Sequence, residues 1–342
     1  MFGLSLFAVP GGADSRVKVA RIEDKMGLHG SPTCELHFDD APAYLVGKRK
    51  FGLFHVVDIL NHARFSVAAQ AIGIAEAAYQ AARDYARERM AFGQLIGDMP
   101  IVHNMLEEMR LQLQACRAMV YAGSQVLDLR NKLDEHIEAV KAGGDKPAKE
   151  DVIELKRMQK KLDLLSPLVK YIATEAANRI CYDAQQVFGG HGFIRGATVE
   201  RCIRDVRITT IYEGTTQIQV GLASKHMLAD VLGEYFDGVL STAVPQSLAT
   251  CQCNLVALRE LWRSSVAAWR ELDDYSQGVA MRQLTDMYGA LYAGCLLLEG
   301  ASDDEARAAD ACRYAAQARA EAVAGHARVT GAYYAAAAAT AD

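Results

Sequence analysis

Two stretches of this sequence carry residue types and spacings that could do chemistry. In Ile208-Thr209-Thr210-Ile211-Tyr212-Glu213-Gly214-Thr215-Thr216-Gln217, a β-branched run delivers an acidic residue to a glycine, and a helix then starts. Thr215 is a fair N-cap for that helix. A carboxylate at such a junction, flanked by Ile211 and Tyr212, is partly desolvated, a condition that suits a general base at neutral pH. The same placement also suits a carboxylate that merely complements the positive end of the following helix. The residues alone leave these two readings even. In Gln186-Val187-Phe188-Gly189-Gly190-His191-Gly192-Phe193, three glycines fall in four positions after a long helical pattern. Glycine there lets backbone N–H groups approach a ligand closely, or simply ends the helix. The third glycine is mis-spaced for a dinucleotide fingerprint and no strand precedes it, so this stretch alone favours the helix end.

The elements that must position these stretches follow from periodicity. Residues 1–52 read as β: Cys34, Leu36 and Phe38 alternate with Glu35 and His37, the pattern of a half-buried strand. Gly11-Gly12 and Gly30-Ser31-Pro32 supply turns. From about residue 53 the period is helical, with Leu60, Ala63, Val67, Ala71, Ile74, Ala78, Ala81 and Tyr85 on one face. Asp98 is placed to cap the next helix, with Pro100 in its first turn. That helix carries Leu106, Met109, Leu113, Cys116, Val120, Gly123 and Leu127. A third pattern runs through Leu155, Met158, Leu162, Leu165, Val169, Ile172, Ala176 and Ile180. Within it, Ser166-Pro167 marks either a helix restart capped by Ser166 or a kink. A helix returns from Ile218 to about Phe236, and three more follow from about residue 245. The last of these opens on the capping box Ser302-Asp303-Asp304-Glu305, and Ala335–Ala339 carries little information.

The predicted fold is therefore mainly α, a helical bundle preceded by a partial β domain and followed by an extra C-terminal helical region. Residues 1–52 are the C-terminal part of the β domain, 53–232 the helical domain with an exposed charged insertion at 131–150, and 233–342 the C-terminal extension.

Composition narrows the partners. The chain has 342 residues, 51% hydrophobic and 23% charged, which suits a large buried core and not a disordered protein. Its net charge of −5 speaks against nucleic acid or an anionic membrane surface as the main partner. No apolar run approaches the roughly 20 residues of a transmembrane segment, and Leu4–Val9 reads as a strand rather than a signal peptide. The eight scattered cysteines read as reduced cytosolic thiols, placing the protein in the cytoplasm. The nine histidines show no metal-ligand spacing. Lys156-Arg157, Lys160-Lys161 and Lys170 read as a solvated face.

Taken together, Gln186–Phe193, Val199-Glu200-Arg201, Arg204-Asp205 and Ile211–Gln219 resemble the signature of the acyl-CoA dehydrogenase family in order, spacing and surrounding helices. Upstream the likeness includes Lys25-Met26-Gly27, Leu60-Asn61-His62-Ala63-Arg64 at a helix start, and Arg87-Glu88-Arg89-Met90-Ala91-Phe92-Gly93 at a helix end. It covers roughly residues 3–232, and the helices beyond resemble the family's longer subgroup with a C-terminal helical extension. Relative to that family the sequence is N-terminally truncated. It also departs from the family pattern at Met90-Ala91, Pro100 and Arg195-Gly196-Ala197.

The resemblance implies a flavoprotein oxidoreductase of lipid metabolism and fatty acid β-oxidation. It implies FAD-dependent α,β-dehydrogenation of an acyl-CoA to the trans-2-enoyl-CoA, with electrons passed to an electron-transfer flavoprotein. Glu213 matches the catalytic base. Thr215 and Gln217 match flavin contacts at the following helix, while Arg89, Phe92, Gln186, Gly189 and Gly190 match residues that reach the FAD of a neighbouring subunit. Gly214, Asn61 and Arg64 match the substrate side. Flavin sites shared between subunits imply a homodimer or homotetramer. The competing readings are an acyl-CoA oxidase, which hands electrons to oxygen, and an inactive helical dimerisation fragment that lacks flavin. A DNA-binding relative with a basic C-terminal domain is disfavoured by the mixed charges and many alanines of residues 300–342.

Overall fold

The computed structural model describes residues 3–12, 15–301 and 304–331. Three long helices form its centre: α1 (Gly52–Glu88), α2 (Pro100–Ala142) and α3 (Lys149–Phe188). Asn61 meets Ser166, and Tyr85 stacks on Phe188, so α1 and α3 run parallel. Arg117 reaches Glu76 and Gly123 lies against Phe65, so α2 runs antiparallel to α1. The buried stripe of α1 is Phe65, Val67/Ala68, Ala71/Ile72, Ala75, Ala78/Tyr79, Ala82 and Ala86. It is turned slightly from the predicted face, because the alanines take the close contact and push Ile74 and Ala81 to its margin. All seven predicted core positions of α2 are buried. In α3, Leu162, Leu165, Val169 and Ile180 are buried as predicted.

Three local readings need correction. Residues 131–142 are not an insertion but the last three turns of α2. Their charges conceal an amphipathic spacing in which Ile137 is buried and Leu133 and Val140 are half-buried. Asp98 does not cap α2; it ends a short 3₁₀ turn, Ile96–Asp98. Met99, extended as residues before proline are, takes the cap position without a side-chain bond. Pro167 sits inside an unbroken α3, so Ser166 caps nothing. The β-branched run that delivers Glu213 takes the form of a 3₁₀ turn, Arg207–Thr210.

Residues 3–46 carry four short strands in two antiparallel ladders: β1 (Leu6–Ala8) with β4 (Tyr44–Val46), and β2 (Val17–Ile22) with β3 (Cys34–Phe38). The alternation in β3 is a real strand, yet Leu36 and Phe38 are exposed, as are Val19 and Ile22 opposite. The described residues leave this apolar face uncovered. The segment between β2 and β3 is pinned to the bundle instead. Leu28 N donates to Asp205 Oδ1 (2.7 Å), and Arg204 donates to the Met26 carbonyl (3.1 Å). Both residues belong to α5 (Thr198–Val206), which follows the single turn α4 (Gly190–Phe193). Glycine at 27 is required for this approach, since a Cβ there would stand 2.6 Å from the Arg204 carbonyl oxygen and from Asp205 Oδ1.

After residue 215 come α6 (Thr216–Leu228), α7 (Gly233–Ser241), α8 (Ala249–Trp269), α9 (Asp274–Glu299) and α10 (Glu305–Thr330). The single helix expected over 218–236 is divided at Asp230, which is in the left-handed region (φ +51°). Its carboxylate pairs with the buried guanidinium of Arg259, which also lies over the rings of Phe236 and Trp262. Asp304 caps α10 by accepting from Ala306 N and Arg307 N. Ser302 and Asp303 of the predicted capping box, and Ala335–Ala339, lie outside the described residues. Arg110 grips Asp310 through two bonds of 2.6 Å and so ties α10 to α2.

The pinning of residues 26–28 predicts that Gly27→Ala frees the β2–β3 hairpin without unfolding the bundle. Limited proteolysis should cut between residues 17 and 38 at least several-fold faster, while the helical thermal transition moves little. Unchanged cleavage would show that the contact with α5 does not hold the hairpin.

Candidate active site

Glu213 and Gly214 both have positive φ, +54° and +98°. For glycine this is permitted; for glutamate it is strained, and such strain persists only where surroundings enforce it. Two side chains do so. Gln219, on the first turns of α6, donates from Nε2 to the Glu213 carbonyl (2.9 Å) and the Gly214 carbonyl (3.1 Å). Lys170, from the middle of α3, donates to the Gly214 carbonyl (2.7 Å). A Cβ at 214 would meet Gln219 Nε2 at 2.5 Å and sit on a backbone at φ +98°, so any other residue would push that clamp aside and add strain. Tyr212 holds the other side of the turn through a bond to Gln70. The Glu213 side chain stays half-exposed, and Thr215, at the N-cap of α6, is exposed and makes no capping bond.

Beneath this turn lies a polar patch on otherwise apolar helices. Asn61 Oδ1 accepts from Arg64 Nη1 and from Ser166 Oγ, both at 2.9 Å. Asn61 and Arg64 are 6% and 8% exposed and stand more than two turns inside α1. They are therefore neither a helix cap nor a surface charge. Arg64 Nε has no hydrogen-bond partner. Lys170 is 0% exposed, which overturns its reading as part of a solvated face. Among the described residues neither cation makes an ion pair. Burial lowers the Arg64 guanidinium from its ordinary value, against the opposing field of Glu213 and then Asp163. Burial also pulls the Lys170 ammonium down to about 8; Arg64 adds to this, and Glu213 and Glu175 oppose it. The Glu213 carboxylate thus faces two desolvated cations.

The other predicted site residues gather elsewhere. Phe92-Gly93 turn a two-residue hairpin between β5 (Met90–Ala91) and β6 (Gln94–Leu95), with φ +52° and +83°. Both angles being positive makes this a type I′ turn, where asparagine or glycine is the usual choice. Phe92 is strained there and 97% exposed. Tyr85, one turn before Arg89, stacks on Phe188 at 4.3 Å and bonds His191, so the hairpin adjoins the Gln186–Gly190 turn. Arg89, Gln186, Gly189 and Gly190 are exposed, and a Cβ at either glycine would meet nothing. An exposed guanidinium, an exposed ring and open backbone suit a flat, phosphorylated ligand. This second cluster stands about 35 Å from Arg64 along the bundle, at 1.5 Å per residue.

The structure therefore brings Asn61, Arg64, Glu213 and Gly214 together, with Thr215 and Gln217 at the adjoining helix start, and sets the other five apart. The sequence reading gave Lys170 to a solvated face and Ser166 to a helix cap, and gave Gln219 no role of its own. The signal for two of them was Ser166, Lys170 and Thr174, polar residues four apart on the buried face of an apolar helix.

Known proteins resemble this chain over the same elements. The sequence profile of the acyl-CoA dehydrogenase C-terminal domain matches residues 52–228. An acyl-CoA dehydrogenase of Bacillus subtilis is 35% identical over 213 residues, 61% of this chain and 48% of its own. A crystal structure of an acyl-CoA dehydrogenase complexed with FAD from Bacillus anthracis has a TM-score of 0.74 at 19% identity, covering 96% of this chain and 60% of that one. At that identity the likeness speaks to fold alone, and it takes in the C-terminal helices. Butyryl-CoA dehydrogenase from Megasphaera elsdenii has a TM-score of 0.51 at 28% identity, over 66% of this chain and 55% of that one. The chain spans about half the length of the curated relatives it matches.

The burial of Lys170 has a thermodynamic signature. Its proton affinity falls from the ordinary 10.5 to about 8 in the fold. Between those values the unfolded chain holds the extra proton, so folding stability from this group rises with pH across that window. Below pH 8 the full cost applies, about 3 kcal/mol. Relative to Lys170→Met, the parent protein should gain about that much stability between pH 7.5 and 10.5. Urea unfolding of the two proteins across this range checks it; a pH-independent difference would refute the buried-ammonium assignment.

Proposed function

The chain belongs to the acyl-CoA dehydrogenase family, and from that premise we propose that the protein oxidises an acyl-CoA to its trans-2-enoyl-CoA with FAD as cofactor. The observation that carries this reading is the strained, doubly clamped Glu213, half-exposed beside two buried cations. The Glu213 carboxylate takes the α-proton. FAD, when bound, accepts the β-hydride. A thioester α-proton is only weakly acidic, so the negative charge that develops on the thioester oxygen needs donors already in place. Among the described residues the Glu213 backbone N–H makes no hydrogen bond, which leaves it available to that oxygen. Arg64 and Lys170 add fixed positive charge next to the same turn. Asn61, Arg64 and Gly214 form the substrate side.

Thr215 and Gln217 serve the flavin beside this base. Arg89, Phe92, Gln186, Gly189 and Gly190 fit the same cofactor chemically, yet stand about 35 Å away at 1.5 Å per helical residue. One chain therefore does not apply both sets to one flavin. Two copies, each lending its hairpin end to the other's base, would do so, which supports a homodimer or a tetramer built from dimers. In this reading residues 53–232 are the flavin- and acyl-CoA-binding domain, 1–52 belong to a β layer, and 233–342 extend the bundle. Electrons leave to an electron-transfer flavoprotein, and the eight unpaired cysteines support a cytoplasmic setting.

Glu213→Gln should keep the flavin absorption band of the purified protein. It should lower deuterium uptake at the acyl-CoA α-carbon in D2O by roughly 10²–10⁴-fold, the usual contribution of a positioned base. Undiminished uptake in that variant would remove Glu213 from the role.

A further inference from the structure

A fully buried ammonium with a single hydrogen-bond acceptor is an expensive thing to keep. Lys170 makes one such bond, to the Gly214 carbonyl, and no ion pair among the described residues. Burying a charge without a counter-charge costs several kcal/mol in real proteins. If the role were only to satisfy the Gly214 carbonyl, it would be redundant, since Gln219 already donates to that oxygen. Helix packing gives no reason either. Ser166 and Thr174, one turn before and after on the same stripe, are small buried residues that fit with ordinary hydroxyl bonds.

The two donors differ in what they grip. Gln219 spans the Glu213 and Gly214 carbonyls from the helix that follows the turn, so it moves with that helix. Lys170 grips the Gly214 carbonyl from α3, a separate element that also holds Asn61 through Ser166. It thus ties the turn to α3, as Tyr212 ties it to α1 through Gln70.

On the reading of Glu213 as the base, we propose that Lys170 is a positioning residue for it. From α3 it clamps the Gly214 carbonyl and keeps Glu213 in its left-handed backbone conformation, fixing where both the carboxylate and the Glu213 N–H point. The groups around it are Arg64 from α1, Glu213 from the turn and Glu175 further along α3. Glu175 is itself engaged by Thr216 of α6 and Arg282 of α9. Asp286 of α9, whose carboxyl burial pushes up to about 6, is bonded to Tyr171. Lys170 is the group of this set that changes charge near pH 8.

The test compares Lys170→Met, Lys170→Gln and Lys170→Arg with the parent holoprotein by two readouts. One is amide hydrogen exchange over residues 211–217; the other is α-deuterium uptake into acyl-CoA as a function of pH. In the Met and Gln variants the amides should exchange at least about tenfold faster, and uptake should fall by roughly 10–100-fold, as small misplacements of catalytic groups do. Thermal stability should not fall, because the removed charge was a burden. Lys170→Arg should recover most of the amide protection and abolish the decline in uptake expected of the parent above pH 8, where the ammonium loses its charge. Unchanged protection of 211–217 in both Met and Gln variants overturns the clamp, whatever their activity. If the parent takes up no deuterium while the variants lose amide protection, the clamp stands and the assignment of Glu213 as base fails.

Discussion

How closely α1 can approach α3 determines the rest of the site. Six alanines, at 68, 71, 75, 78, 82 and 86, are buried along the contact. Helix axes separate by 8–10 Å according to the side chains between them, and an alanine-lined seam lies at the short end. Because the helices are parallel, the same seam sets both of its ends. At one end it lets Asn61 and Arg64 reach Ser166 across the interface. At the other it lets Tyr85 lie flat on Phe188 beneath the glycine turn. A bulkier residue within the stripe would displace the polar end and the glycine-turn end at once.

That seam also supplies the apolar surroundings that make its polar end costly. The fold shows two ways of burying a cation. Arg259 is 2% exposed, but Asp230 meets it with both carboxylate oxygens and two aromatic rings cover its faces. It joins the α6–α7 break to α8, and every part of it has a partner suited to a guanidinium. Arg64 and Lys170 have amide, hydroxyl and carbonyl partners instead, and Arg64 retains an unbonded Nε. Their missing negative charge is supplied in part by Glu213 at the edge of the patch. Evolution of a stable core would favour the first arrangement. The second is what a site needs when negative charge arrives with the ligand or develops during reaction.

The sequence made some of this legible. The apolar stripes of α2 and α3 were read correctly, because a 3.6-residue period in leucine, methionine and valine has few other causes. The stripe of α1 was read with a small rotation, since alanine carries little hydrophobic signal against Ile74 and Tyr85. Residues 131–142 were lost among their charges, although Leu133, Ile137 and Val140 keep the period. Lys170 was grouped with Lys160 and Lys161 by charge, when its spacing from Ser166 and Thr174 places it on the opposite, buried face. The neighbours of Glu213 single it out as a candidate without choosing between a base and a helix-end charge, and they carry no sign of its left-handed backbone. That conformation arises from Lys170 and Gln219, which lie 43 residues before it and 6 after it in number and meet only in the fold.

The two strained residues of the site region then differ in an instructive way. The strain at Glu213 is matched by bonds within the chain, from Gln219 to its own carbonyl and from Lys170 to the next. The strain at Phe92 is not. A type I′ turn suits the twist of its two short strands, but asparagine or glycine would give that turn without the cost of an aromatic side chain at φ +52°. Nearly all of that ring faces outward, so its own chain gains almost nothing from burying it. Retaining phenylalanine there makes physical sense only if something outside these residues covers the ring. Arg89 and the open glycines beside it have the chemistry to help cover it with a flat, phosphorylated molecule, as the proposed function requires. In the proposed function, then, the turn at Glu213 is held by bonds within its own chain, while the hairpin at Phe92 is left open for a ligand shared with a second copy.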